Sequence, residues 1–216
     1  MTDAATAPET RRERLRRELT ADILRIARRQ LSEEGAGAVT WRAIARELGM
    51  NPASLYTYFD NLDALFTALI LQSYESLGAA VSSAAHEHGD AEPVDRAIAC
   101  MLAYRAWAVE HPAEFNLIFT DQIPGYEAPD DAGTFEAEMA VLQPVIGALA
   151  AVRGRVIPGT PSSPSEVADT PEADASIALW AQAHGLVMLE INNHLPDDGR
   201  PERFERVVTR SIRALV

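Results

Sequence analysis

Between Thr40 and Phe59 the chain reads Thr-Trp-Arg-Ala-Ile-Ala-Arg-Glu-Leu-Gly-Met-Asn-Pro-Ala-Ser-Leu-Tyr-Thr-Tyr-Phe. The second half of this run is rich in small and hydroxyl-bearing side chains. If it is helical, Leu55 and Phe59 share one face at i, i+4, and Ala53, Ser54, Tyr56 and Thr57 project from the other. Hydroxyls and backbone amides on a slim helix suit hydrogen bonding to phosphate oxygens and base edges, and a slim surface fits a major groove. This is the chemistry of recognition rather than of bond breaking. No nucleophile–base pair, phosphate loop or metal cluster is visible in the sequence, so the chain is expected to be no enzyme and to need no cofactor. His86, His88, His111, His184 and His194 lack metal-ligand spacing, and His86 and His88 would point to different sides of a helix. No metal is expected.

Those residues need a scaffold. Ile23, Leu24, Ala27 and Leu31 form one face of a helix over about Thr20–Glu34, which either starts there or earlier, within the arginine cluster. Gly35 and Gly37 end it. A short helix follows Thr40, with Ile44, Ala45 and Leu48 on its apolar face, and Gly49 stops it. Asn51-Pro52 reads as an N-cap followed by proline at the first helical position, opening a third helix to about Phe59. The apolar faces of the second and third helices pack on Ile23, Ala27 and Leu31. The turn Gly49-Met50-Asn51 then angles the third helix outward as in a helix-turn-helix.

With Gly35, Thr40, Ile44-Ala45, Gly49, Leu55-Tyr56, Tyr58-Phe59 and Leu65 in place, residues 35–65 resemble the DNA-binding motif of the TetR family. The resemblance implies that Thr40 caps the second helix with its amide end toward a phosphate, and that Asn51, Ser54, Tyr56 and Tyr58 contact phosphates or base edges. Arg42 is implied as a further reader. One position departs: the family usually carries Lys three residues after the aromatic-Phe pair, where this chain has Leu62. The arginines at 11–17 are expected to compensate from a flexible arm.

Farther along, helices are expected over about 62–85, 94–110, 112–121, 134–152 (kinked or broken at Pro144), 173–194 and 201–215. The Pro- and Gly-rich 154–172 is expected to be a linker or lid. Residues 104–119 and 180–189 resemble a regulatory-domain subgroup of the same family marked by Trp-x-x-x-His-Gly, here Trp180, His184 and Gly185. Met101, Tyr104, Trp107, Phe115, Phe119 and Met188 are candidates to line an effector pocket, against the plainer reading that they are core. Trp180, His184, Val187, Ile191, Phe204, Val208 and Ile212 are candidates for a four-helix dimer interface, against intramolecular core. Gly185 is expected to permit close helix approach.

The fold expected is all-α, with a basic arm (1–19), a helix-turn-helix domain (20–66) and a helical ligand-binding and dimerisation domain (67–216). The net charge of −13 opposes binding to a polyanion, but its distribution does not: residues 1–70 hold ten arginines against ten carboxylates, so the whole deficit lies beyond them. Arg11, Arg12, Arg14, Arg16 and Arg17 cluster before the first apolar stripe. One cysteine, Cys100, allows no intrachain disulfide and leaves either an inert buried thiol or a redox sensor. No transmembrane run or secretory leader is expected, so the expected compartment is the cytoplasm. The expected partners are double-stranded operator DNA, a second copy of the chain and an unidentified small-molecule effector, with no membrane. The function expected is a repressor released from a palindromic operator by that effector. The alternative is a helical small-molecule-binding or scaffold protein whose head has lost DNA affinity.

Overall fold

The computed structural model describes residues 10–119, 123, 125–126, 129, 132–152 and 171–214. Residues 1–9 of the expected arm, most of 121–133, and all but the last two residues of the expected 154–172 linker or lid lie outside the described residues. Among the described residues eight α-helices carry the fold and no strand occurs: α1 (Arg11–Glu34), α2 (Trp41–Leu48), α3 (Leu62–Glu87), α4 (Pro93–Glu110), α5 (Pro112–Phe119), α6 (Thr134–Val152), α7 (Pro171–Ile191) and α8 (Arg200–Ala214). The chain divides into two compact units, the first reaching Leu69 and including residues 121–127, the second comprising 70–120 and 128–216.

In the first unit, α1 is longer than its apolar stripe requires. Thr10 and Glu13 form a capping box, with the Thr10 hydroxyl accepting from the Glu13 amide and the Glu13 carboxylate accepting from the Thr10 amide. Residues 11–19 are therefore helical, not a flexible arm. Ile23, Leu24, Ile26, Ala27 and Leu31 are buried from α1, and Ile44 and Ala45 from α2. Thr40 caps α2 by accepting from the Ala43 amide at 3.2 Å. Gly49 ends it with φ 65°, and the Met50 amide reaches back to the Ala45 carbonyl at 2.9 Å. An added Cβ at Gly49 would meet nothing within 4 Å, so Gly49→Ala isolates the backbone cost of the left-handed conformation. Urea denaturation should show a loss of about 1–2 kcal/mol, and an unchanged midpoint would refute the strain argument.

The segment after this turn differs from expectation. Residues Pro52–Thr57 form a 3₁₀ helix, not an α-helix reaching Phe59. The Asn51 side chain accepts from Ala53 N at 2.9 Å, Ser54 N bonds Asn51 O and Tyr58 N bonds Leu55 O, both at 2.9 Å. The Ser54 and Tyr58 bonds close three-residue turns, and a four-residue bond comes only past the segment, from Phe59 N to Leu55 O at 3.2 Å. Three residues per turn also changes the register. Tyr58 falls in line with Leu55 and is half-buried, whereas Tyr56 aligns with Ala53 and is exposed.

In the second unit α4 is the central helix, packed against α6, α7 and α8. It buries Ala97, Ile98, Cys100, Met101, Tyr104, Trp107 and Ala108. α6 runs through Pro144 without a break; the hydrogen bond that proline forgoes would go to Ala140, which is exposed, so water can take that carbonyl. α3 is long and apolar enough, at mean hydropathy 1.3, to pass a length test for spanning a membrane. Its Leu65, Phe66, Leu69, Tyr74, Leu77 and Val81 are instead buried in the protein.

Candidate nucleic-acid interface and effector site

The first unit presents the hydroxyl-bearing residues on its surface. Thr40, Arg42, Asn51 and Tyr56 are exposed, and Ser54 and Tyr58 are half-buried. Tyr56 is 52% exposed while its neighbour Leu55 is fully buried, so Leu55 anchors the segment and Tyr56 projects from it. The Tyr56 ring lies beside Trp41, the first residue of α2, with centroids 5.7 Å apart. That contact brings α2's amide end and the 3₁₀ segment onto one surface. The amides of Ala43 and Ala53 are taken by the side chains of Thr40 and Asn51. Leu62 opens α3, whose start is capped by Asn61 accepting from Ala64 N at 2.8 Å; the family's usual lysine is absent there.

Arg16, expected either in the arm or in an earlier start of the first helix and not among the contact candidates, also reaches this surface. The Arg16 guanidinium lies over the Tyr58 ring, 5.8 Å from its centroid. The available signal was helical register, since Arg16 lies seven residues before the buried Ile23.

In the second unit, Tyr104, Phe115 and Phe119 converge with Trp180 and His184. The Tyr104 hydroxyl hydrogen-bonds His184 Nδ1 at 3.0 Å. Phe115 stacks on His184 at 5.4 Å, Phe119 meets it edge-on at 5.0 Å, and Trp180 lies 5.1 Å from it. Tyr74, which the sequence did not single out, packs on Phe119 at 6.0 Å and donates to the Ile118 carbonyl. Trp107 faces elsewhere: its N–H donates to Ser76 and its ring lies beside His111. Met101 is buried core, and Met188 is half-buried. Tyr104 and Phe115 are fully buried.

Burial governs the electrostatics of this cluster. It raises the phenols of Tyr104 and Tyr74, and the charge of Glu138 raises both further; a hydrogen bond from Trp180 partly offsets this at Tyr104. Burial also raises the Glu138 carboxyl and pushes the Cys100 thiol up to about 11, which makes it a poor nucleophile at neutral pH. Burial lowers His184 below its ordinary 6.5. The folded chain therefore binds that proton less readily than the unfolded chain. The contribution of His184 is complete above pH 6.5 and is lost as pH falls through the lowered folded value. Glu138 runs the other way, losing its contribution as pH rises from 4.5 through its raised value. Chemical denaturation at stepped pH should show the stability gap between wild type and His184→Gln shrinking below pH 6.5; a pH-independent gap would refute the buried neutral imidazole.

The interface candidates divide. Val187, Phe204, Val208 and Ile212 are at most 2% exposed within one chain, so they form intrachain core and present no surface to a partner. Trp180 and His184 belong to the aromatic cluster, and Ile191 is half-buried. The exposed apolar side of α7 is instead Ile177, Ala178, Ala181 and Leu189. An added Cβ at Gly185, on that side, would meet nothing within 4 Å, so none of the described helices packs closely on it.

A capped α2, a glycine turn and a short segment with an exposed tyrosine above a buried leucine reproduce the motif that the sequence resembled. Residues 23–69 match the model for bacterial regulatory proteins of the tetR family. Residues 97–215, more than half of the chain, match the tetracyclin repressor-like C-terminal domain. The chain belongs to the TetR family. Among its relatives is HTH-type transcriptional regulator Rv1816 of Mycobacterium tuberculosis (strain ATCC 25618 / H37Rv), 38% identical over 116 residues, 54% of this chain and 50% of the relative. The chain thus spans about half the length of the curated relatives it matches most strongly. The crystal structure of SCO4313 superposes with a TM-score of 0.75 at 29% identity, covering 96% of this chain and 99% of that one. A protein of unknown function from Rhodococcus sp. RHA1 gives 0.73 at 20% identity, over 98% of each chain, which shows the shared fold. For this TetR-family chain, Tyr104, Phe115, Phe119, Trp180 and His184 lie in the stretch matched by the C-terminal model and the hydroxyl-bearing surface in the stretch matched by the N-terminal one.

Proposed function

We propose that this TetR-family protein is a dimeric, cytoplasmic transcriptional regulator whose first unit binds duplex operator DNA through Thr40, Arg42, Asn51, Ser54, Tyr56 and Tyr58. The same reading makes it a repressor that a small molecule, bound in the second unit, releases from a palindromic site. The observation that carries it is Tyr56, half-exposed on a segment whose Leu55 is wholly buried. A large aromatic side chain held out from a packed domain loses apolar burial unless a partner covers it. The hydroxyls beside it suit phosphates and base edges. One head buries little DNA surface, so two heads about 34 Å apart would supply the affinity.

The second unit supports the effector reading through its mixture of rings, a phenol, an imidazole and the part-buried Glu138. An effector would act by its differential affinity for two head spacings. Dimerisation is best supported along the exposed side of α7. A mid-helix glycine costs about 1 kcal/mol against alanine, and among the described residues nothing lies within 4 Å of where a Gly185 Cβ would stand to justify that cost. A second copy's helix lying on Ile177, Ala181, Gly185 and Leu189 would.

The deciding experiment is selection of duplexes from a randomised pool by the purified protein at fixed salt. Recovery of a palindromic site supports the regulator, and recovery of no duplex at low salt would leave the scaffold reading standing. For the dimer, Ala181→Glu with Leu189→Glu should yield a monomer of unchanged helicity by sedimentation, because both positions are exposed in the single chain. A surviving dimer would remove this face from the interface.

A further inference from the structure

The five arginines of 11–17 are the strongest charge feature outside the motif. Because α1 begins at Arg11, three of them, Arg11, Arg12 and Arg14, crowd its first turn. Positive charge there opposes the helix dipole, and acidic residues would be the stabilising choice. The lone acid of that turn, Glu13, is engaged by the Thr10 amide and hydroxyl at 2.8 and 2.7 Å. Arg11, Arg12 and Arg14 make no ion pair among the described residues, and every residue from Arg11 to Glu18 is exposed. The arrangement gains nothing for the isolated helix, so an external anion is the natural complement.

Register says which arginines would meet it. At 3.6 residues per turn, Arg12 and Arg16 lie on the line of Thr20, Ile23 and Ala27, the face that α1 buries. Arg14 points to the opposite side. The buried stripe thus continues beyond the core as two exposed arginines four residues apart, about 6 Å along the axis. The second of them lies over Tyr58, beside the 3₁₀ segment.

We propose that Arg12 and Arg16 form a rigid phosphate rail that extends the DNA contact of the first unit along the duplex backbone; this rests on the DNA reading above. Each guanidinium fork can donate two hydrogen bonds to phosphate oxygens. The contact with the Tyr58 ring biases Arg16 toward this edge, which reduces the freedom lost on binding. The rail supplies from α1 the phosphate contact that Leu62 cannot make, and it concentrates positive charge at one edge of a strongly acidic chain.

The test uses the full-length protein and a duplex that it has itself selected from a randomised pool. The logarithm of the binding constant is measured against the logarithm of salt concentration. Arg12→Ala and Arg16→Ala should each reduce the slope by about 0.9 per bound protomer. Arg14→Ala, on the far side, should leave it at the wild-type value. All three variants should keep wild-type helicity, since alanine favours a helix at least as well as arginine. Unchanged slopes for Arg12→Ala and Arg16→Ala overturn the rail, as does an equal loss from Arg14→Ala, which would mark a diffuse charge cloud. If the wild-type protein selects no duplex at all, the DNA reading itself fails and takes the rail with it.

Discussion

Arg105→Ala should destabilise the second unit by about 3–5 kcal/mol, because it strands a buried carboxylate. Glu190 on α7 is 5% exposed. Its charge is met by Arg105 of α4, whose Nε donates to Oε2 at 2.8 Å and whose Nη2 bonds Oε1. The fork that holds Glu190 also lies over the Phe204 ring of α8 at 6.0 Å, so one side chain joins three helices. Removing it leaves a carboxylate that water cannot easily reach and loses the packing of the arginine stem. The pair itself is a weaker source of stability than that figure suggests, since both ions gave up hydration to form it. Arg105→Met combined with Glu190→Leu should therefore recover most of the loss. Denaturation of Arg105→Met, Glu190→Leu and the double variant forms a cycle that reads the coupling directly. An Arg105→Ala protein within 1 kcal/mol of wild type, by the same denaturation, would show that Glu190 is solvated and the pair superficial.

Tyr56→Ala carries the largest expected effect on binding. If its hydroxyl reaches a phosphate in each head, each lost hydrogen bond to a charged group costs about 1.5–3 kcal/mol. Two heads of a dimer are far enough apart for the costs to add, so affinity should fall at least a hundredfold. Stability should hardly change, because Tyr56 is half-exposed and its ring neighbour among the described residues, Trp41, belongs to the same surface. Tyr56→Phe separates the two contributions. It keeps the ring and loses only the hydroxyl, so an affinity as low as that of Tyr56→Ala assigns the effect to the hydrogen bond, whereas retained affinity assigns it to ring packing in the groove. Titration of the selected duplex, with the oligomeric state checked by sedimentation, gives the answer. Wild-type affinity for Tyr56→Ala would exclude this side chain from the contact.

Much of the first unit is legible because its signals are local. Thr40 with an amide three residues on, Gly49 at a helix end and Asn51 before Pro52 each fix a backbone hydrogen bond within a few residues. The buried Ile44 and Leu55 follow from the apolar periodicity that those caps delimit. The 3₁₀ form of Pro52–Thr57 is less legible, because i, i+4 spacing of Leu55 and Phe59 suits an α-helix equally well. The folded chain takes the tighter turn there, and its register sets Tyr56 outward and Tyr58 half inward.

In the second unit, sequence determined that residues would be buried but not against what. Phe204, Val208 and Ile212 announce an apolar stripe on α8, and a stripe satisfied by a second chain looks the same as one satisfied by α4. The i, i+4 pair Trp180 and His184 marks one face of α7 just as clearly. Only the folded chain shows that this face meets Tyr104, eighty residues earlier, and leaves Ile177, Ala181 and Leu189 on the outside. Periodicity specifies how a helix is rotated about its own axis; which neighbour fills that face depends on long-range packing, which no short window of sequence contains.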